Sequence, residues 1–473
     1  MNLIYVMQKR PVAIFAGIMS VVIVSILLID HSSHRGFVAS VAGLKSPVGA
    51  VGAMSILLVP PSGTGRLVEE IRRSQDQLLT GRNVESAIER LGWLYVARGR
   101  ESLDPGFFKI AEQCASALEA RHPRAPEALL LKGHVLHNMH HFKEAEVIAR
   151  ELVKKREMPA DYGLLGDTLM EQGKLDGAVA AYQRMADLKP DLHASIRAAH
   201  LRWLKGDLDG AIELASDAAA AASPRDPDTA SWVWTRLGAY LFQNGQLKLA
   251  LQQCADALAV RKDYPPALLL QGRILLADGK TSEALVDLTR AAQLAPLPEY
   301  QWALAEALTI SGQSSAASDV ETELKRHGAS SDPRTYSVFL STKGETPDFA
   351  LRLATAELES RGDVFTRDAV AWALATAGKI EAANKELDKV IGVGTQDARL
   401  FFHAALIRSQ SGQFEEAAKW CEKAFALRTL LLPSEKQLLQ ALATQLGSAS
   451  SAALSGPQSE HAVDFARVGE ATF

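Results

Sequence analysis

The chain has 473 residues, of which 47% are hydrophobic and 22% charged, and its formal net charge is −4. This length and hydrophobic content exceed what one compact domain usually contains, so we expect several domains or an array of repeats. The small negative charge gives no sign of the basic surface that nucleic-acid binding requires.

The N-terminal segment has the pattern of a membrane anchor. Lys9 and Arg10 precede a run of 19 uncharged, mostly apolar residues at positions 11–29. A helix needs about 20 such residues to cross a bilayer, whereas the core of a cleaved signal peptide has about 7–15. We therefore predict a cytoplasmic N-terminus at residues 1–10 and an uncleaved transmembrane signal anchor at 11–29, with a cleaved signal peptide as the alternative. The positive-inside rule then predicts an extracytoplasmic (periplasmic) location for the rest of this single-pass membrane protein.

Residues 30–64 are interpreted as a linker. Within them, residues 37–60 are again apolar, but Lys45 and Pro47 interrupt the run. A second span here would return the following residues to the cytoplasm. A charge at mid-span is unfavourable, so we prefer a linker that lies against the membrane or against the next part of the fold.

A helical hairpin then recurs along the chain. Residues 65–79 predict an amphipathic leading helix, and the clearest copy of the hairpin runs from Trp234 to Ala257. The same order of residue types returns at 268–296 and at 162–190. In the clearest copy the pattern consists of Trp234, Leu237, Gly238 and Leu241, then Gly245, then Ala250, Cys254 and Ala257.

A small residue in the middle of each first helix sets the period, because the second helix crosses there. Seven of the nine intervals between these positions are 33 or 34 residues, and the other two are 41 and 39. The turn glycines, which fall seven residues later in most copies, predict left-handed backbone at the helix end. The ten small positions are Gly92, Gly133, Gly166, Ala199, Gly238, Gly272, Ala305, Val338, Ala371 and Ala405.

This pattern resembles the tetratricopeptide repeat (TPR) family, and the likeness covers about residues 85–440. It implies an all-α, right-handed superhelical solenoid of about ten TPR-like helical hairpins, preceded by the N-terminal transmembrane helix. We assign residues 65–446 to the solenoid with its leading and closing helices, the latter beginning at Pro433. Residues 447–473, rich in Ser, Ala and Gly, are predicted to be disordered.

No motif in the sequence indicates catalysis, so we predict that the protein is not an enzyme and holds no cofactor. Three distant cysteines, Cys114, Cys254 and Cys421, fit helix positions as buried free thiols rather than disulfides. His134 and His137, followed by two further histidines at 140–141, could face one metal ion. We favour solvated or groove-lining histidines and predict no metal site.

The first helices line the concave groove of a TPR superhelix, so large side chains on them are candidates for partner binding. Positions one and four residues after each small residue tend to face this groove, and Trp232 and Trp302 are added as earlier residues of the same face. The predicted groove consists of Trp93, His134, His137, Asp167, Met170, His200, Trp203, Trp232, Phe242, Arg273, Trp302, Glu306, Phe339 and Trp372.

The resemblance implies a non-catalytic scaffold or adaptor, here anchored in the membrane by its first helix. Its expected partner is a protein or peptide segment held in the concave groove. A TPR scaffold that binds glycan in polysaccharide export or envelope assembly is the alternative, since Trp faces and carboxylates also suit sugars.

Overall fold

The structure, a computed structural model, describes residues 55–453. Within this range the chain forms 22 α-helices and one 3-10 turn, and no strand. The all-α prediction is therefore confirmed for this range. The helices are α1 Arg66–Leu79, α2 Val84–Ser102, α3 Gly106–Arg121, α4 Pro126–Asn138, α5 Phe142–Arg156, α6 Pro159–Glu171, α7 Leu175–Leu188, α8 Leu192–Leu204, α9 Leu208–Ala221, α10 Pro227–Gln243, α11 Leu247–Val260, α12 Pro265–Ala277, α13 Thr281–Leu294, α14 Pro298–Ile310, α15 Ser314–Ser331, α16 Pro333–Lys343, α17 Pro347–Ser360, α18 Val364–Thr376, α19 Ile380–Ile391, α20 Ala398–Gln410, α21 Phe414–Ala426 and α22 Pro433–Ala453.

Helices α2 to α21 pair as ten hairpins, between a leading helix α1 and a closing helix α22. In the nine hairpins other than the pair of α6 and α7 the two helices pack against each other, and first helices also touch between α2 and α4 and successively from α10 to α20. First and second helices therefore form two layers within these stretches. All ten small positions predicted from the sequence are buried at the helix crossings. At Gly272, for example, an added Cβ would lie 2.6 Å from Cγ of Leu288 in the second helix.

The turns inside the hairpins follow the glycine pattern of the sequence. Seven glycines, each seven residues after a small position, have φ between 72° and 87°. L-residues with a Cβ rarely adopt this left-handed backbone, which ends the first helix. The hairpin around Val338 lacks a glycine at that spacing, and Gly344, with φ of 67°, serves the same purpose one residue earlier.

The described chain divides into two compact units, residues up to 169 and residues from 170 onward. In unit 1 the segment before α1 is part of the core, since Leu57 is fully buried and Leu58 nearly so. The Gln75 amide of α1 donates to the carbonyl oxygens of Leu57 and Val59, each at 2.8 Å. The last part of the stretch at 37–60 therefore packs against α1.

The membrane prediction is corrected by the structure. No helix within residues 55–453 is long and apolar enough to cross a membrane, which contradicts the predicted single-pass localisation. The predicted anchor at 11–29 and the cytoplasmic segment 1–10 lie outside the described residues. At the other end, α22 continues to Ala453, beyond its predicted end at Leu446.

Unit 2 is closed by contacts between residues far apart in the sequence. Arg361, after α17, forms a buried ion pair with Glu171 at the end of α6. The backbone N–H of Gly362 donates to the Glu171 carbonyl at 3.1 Å. An added Cβ on Gly173 would clash with the Gly362 carbonyl oxygen, so the two backbones approach too closely for a side chain at this position.

A charge network surrounds this closure. Arg334 contacts Asp363 at 3.4 Å, and Arg361 contacts the same carboxylate at 3.1 Å. Glu357 lies beside this cluster, and no group hydrogen-bonds its buried Oε1 atom. Burial raises the pKa of Glu357 from 4.5 to about 7; the nearby Arg334 opposes this rise, and the carboxylates of Asp332 and Asp363 add to it.

We expect Gly272→Ala to lower the free energy of unfolding by about 1–2 kcal/mol, because overpacking against Leu288 outweighs the higher helix propensity of Ala. The matched control is Gly447→Ala in α22, where an added Cβ meets no atom within 4 Å. This control should be neutral or stabilising by up to ~1 kcal/mol. Urea unfolding followed by circular dichroism compares the two, and equal midpoints would contradict tight packing at Gly272.

We expect Glu357→Gln to make the protein more stable than the unsubstituted chain at pH 8 and to remove part of the pH dependence. The pKa of the folded state is the higher one, so between pH 4.5 and 7 only the folded chain keeps this proton. The free energy of unfolding therefore falls as pH rises through that window, by at most about 3 kcal/mol. Thermal unfolding between pH 5 and pH 8 measures the difference. Glu359→Gln, at an exposed position of α17, is the control and should leave the pH profile unchanged.

Candidate protein-binding surfaces

In unit 1, an aromatic pair lies on two adjacent first helices. Trp93 of α2 and His134 of α4 are both partly exposed, and their ring centroids are 5.1 Å apart in an edge-to-face arrangement. Arg100 of α2 donates from Nε to the Asn138 side chain at 2.9 Å, and the Asn138 amide donates to the His134 carbonyl at 2.6 Å. We call Trp93, His134, Arg100 and Asn138 the aromatic face of unit 1.

The other histidines of this region pack around one phenylalanine. His137 is 5% exposed and contacts the Phe142 ring edge to face, while His140 stacks on the same ring with centroids 5.4 Å apart. His141 lies 3.7 Å from Glu144, a contact that is an ion pair only when the histidine is protonated. Within residues 55–453 no group of three His, Cys, Asp or Glu side chains could hold a metal ion.

In unit 2, Trp203 lies between two rings. It stacks on His200 at 5.3 Å and on Phe365 of α18 at 5.6 Å, and its Nε1 donates to Gln243 at 2.5 Å. Burial, reinforced by the charge of Arg236, holds the pKa of His200 well below its usual value. His200 is therefore neutral, so its Nδ1 can accept from the Tyr240 hydroxyl at 3.3 Å.

Several predicted groove residues of unit 2 lie in the core. Trp302 donates to Glu306 at 3.0 Å, and Trp372 donates to Thr342 at 3.2 Å and stacks on His403 with centroids 4.6 Å apart. These rings fill the space between neighbouring first helices, so they offer no surface to a partner in this conformation. The fully or nearly fully buried members of the predicted groove in unit 2 are Met170, Phe242, Trp302, Glu306, Phe339 and Trp372.

Two polar members of the predicted groove bind the chain itself. Arg273 donates from Nη2 to the Leu430 carbonyl at 2.6 Å. Glu306 accepts from the backbone N–H of Ser434 at 2.9 Å and from its hydroxyl at 2.6 Å. The inner face of α12 and α14 is therefore covered by the segment that joins α21 to α22.

A second loop covers α8 and α10. The Thr395 hydroxyl donates to the Leu204 carbonyl at 2.5 Å, and the Gln243 amide donates to the Gln396 carbonyl. Gln243, Thr395 and Ser434 are not among the residues predicted from the sequence, because nothing in a single repeat indicates which distant loop it will contact. Of the remaining predicted residues, Trp232 is partly exposed on α10, and Asp167 of α6 is 8% exposed.

The cysteines have no part in these surfaces. Cys114, Cys254 and Cys421 are buried free thiols, as predicted. Burial raises the pKa of Cys254 to about 12, so this thiol stays protonated and unreactive at neutral pH.

Comparison with known proteins identifies the repeat but no specific relative. Models of the tetratricopeptide repeat match residues 164–227 and 398–429. A search of curated proteins finds no match.

Solved structures with a similar fold have little sequence in common with this chain. A chain of the APC/C hetero-tetramer Cut9–Hcn1 is 15% identical with a TM-score of 0.41; the match covers 85% of this chain and 64% of that one. Human IFIT1, as a dimer with PPP-AAAA, is 13% identical with a TM-score of 0.44, covering 82% and 93%. A TPR protein of Thermus thermophilus is 20% identical with a TM-score of 0.36, covering 41% and 99%. The two matched segments thus relate the chain to the tetratricopeptide-repeat family.

Proposed function

We propose that the protein is a non-catalytic scaffold that binds a protein or peptide segment through the aromatic face of unit 1. The observation that carries this proposal is the partly exposed Trp93–His134 pair on adjacent first helices. Aromatic side chains with nearby polar groups are typical anchors of protein interfaces. The Arg100–Asn138 hydrogen bond holds the polar rim of this pair in place.

Protein binding is favoured over glycan binding by where the carboxylates lie. Sugar recognition uses exposed hydrogen-bonding groups next to an aromatic ring. Asp167 and Glu306, the two carboxylates of the predicted groove, are only 8% and 6% exposed. Glu306 is moreover saturated by Ser434. These two carboxylates are therefore not accessible to a glycan, whereas the Trp93–His134 pair is partly open to a peptide side chain.

We expect a photo-reactive amino acid at position 93 to cross-link a protein partner in cells, while the same group at position 420 does not. Trp420 is a partly exposed tryptophan on α21, a second helix of unit 2, and is not part of the proposed face. Mass spectrometry of the cross-linked product identifies the partner.

Affinity for that purified partner then tests the face directly. The double variant Trp93→Ala/His134→Ala should bind about tenfold or more weakly, because truncated anchors commonly lose 2 kcal/mol or more. The matched control, Trp420→Ala/His122→Ala, removes the same side-chain types at other sites and should bind normally. Equal affinity of the two double variants would overturn the proposal, and circular dichroism verifies that both are folded.

A further inference from the structure

The inner face of unit 2 recognises main-chain atoms of the chain's own loops. Arg273 and Gln243 donate to the carbonyl oxygens of Leu430 and Gln396. Glu306 accepts from the backbone N–H of Ser434. Such hydrogen bonds depend on the position of the backbone more than on the identity of its side chains, as in peptide recognition by proteins.

The covering loops are extended next to these hydrogen bonds. Leu431 has φ of −78° and ψ of 151°, and Asp397 has φ of −133° and ψ of 135°. Arg428–Leu430, just before Leu431, form the 3-10 turn, and α22 begins at Pro433. Leu431 and Leu432 are 4% and 5% exposed, which places two adjacent apolar side chains against unit 2. The segment from Leu427 to Ser434 thus presents three leucines, Leu430 to Leu432, followed by Pro433 and Ser434 in the first turn of α22.

A small cavity remains beside this loop. Its volume is about 10 Å³, roughly the space of one water molecule, and it lies between α12 and residues 429–432. Two cationic side chains, Arg273 and Lys436, both line this cavity. Burial, followed by the charge of Arg273, lowers the pKa of Lys436. The two like charges repel each other, which disfavours the conformation in which residues 429–432 cover α12.

We propose that the inner face of unit 2 is a second binding surface, for a leucine-rich segment followed by Pro and Ser. In the closed form the chain's own residues 427–434 occupy it, and a partner segment of the same chemistry displaces them. Each hydrogen bond that the loop loses is replaced by an equivalent bond to the partner, so the exchange is close to neutral. The tethered loop competes at high effective concentration, so the closed chain binds a free segment weakly.

A labelled peptide of residues 427–436 and the variant Ser434→Ala test this competition. The variant removes the loop's hydroxyl bond to Glu306 and leaves the inner face intact. We expect the peptide to bind Ser434→Ala about tenfold more tightly than the unsubstituted chain, because the competitor has lost one charge-assisted hydrogen bond. Fluorescence anisotropy measures the affinity. Hydrogen exchange of residues 428–434 should become faster in the variant without peptide.

Two matched controls decide the outcome. Ser330→Ala, at an exposed position of α15, should change neither peptide affinity nor exchange. Adding Glu306→Gln to Ser434→Ala should weaken peptide binding again, since the carboxylate is the peptide's acceptor. No binding to Ser434→Ala at millimolar peptide, or equal affinity in all variants, would overturn the proposal. These measurements do not involve Trp93 or His134, so they stand or fall independently of the unit 1 face.

Discussion

The close crossing of two helices at a small residue is the constraint on which the rest of this structure depends. Ten first helices carry Gly, Ala or Val at the crossing, and all ten positions are buried. The second helix meets this position with an alanine of its own, such as Ala250 or Ala284, also fully buried. Since larger side chains would hold the helices apart, the crossing sets the packing distance within a hairpin and thereby the spacing of the next one.

A repeat whose contacts are mostly with its neighbours leaves one layer of first helices to face inward. In unit 1 this layer presents the Trp93–His134 pair with part of its surface open. In unit 2 the loops after α17, α19 and α21 return to the first helices of earlier hairpins. The buried Glu171–Arg361 pair and the Glu306–Ser434 bonds belong to this return. The two inner faces therefore offer different chemistry: partly exposed rings in unit 1, and polar groups already bound to backbone in unit 2.

The sequence predicts the local part of this fold well, because the local part is repeated. The small residue, the glycine turn and the alanine of the second helix each recur with fixed spacing, and the helices begin and end close to where these residues predict. The positive φ of Gly173 or Gly412 follows from one residue and its distance from the crossing. Even the two long intervals have visible causes, since α2 extends to Ser102 and α10 begins at Pro227 after an extra loop.

The sequence predicts the accessibility of the inner face less well, for a physical reason. Residues such as Trp302 and Arg273 occupy the repeat positions that point inward. Periodicity does not show whether a side chain at such a position contacts water or another part of the chain. Trp302 meets Glu306 and Phe339, and Arg273 meets Leu430, through contacts that span up to 157 residues. Such contacts depend on the small rotation added by every hairpin, summed over several repeats. A polar residue facing inward thus indicates that a backbone will be bound there. Whether that backbone belongs to a partner or to the same chain depends on how tightly the array winds. Because both would use the same hydrogen-bonding groups, the covering loop and a partner segment compete directly for them.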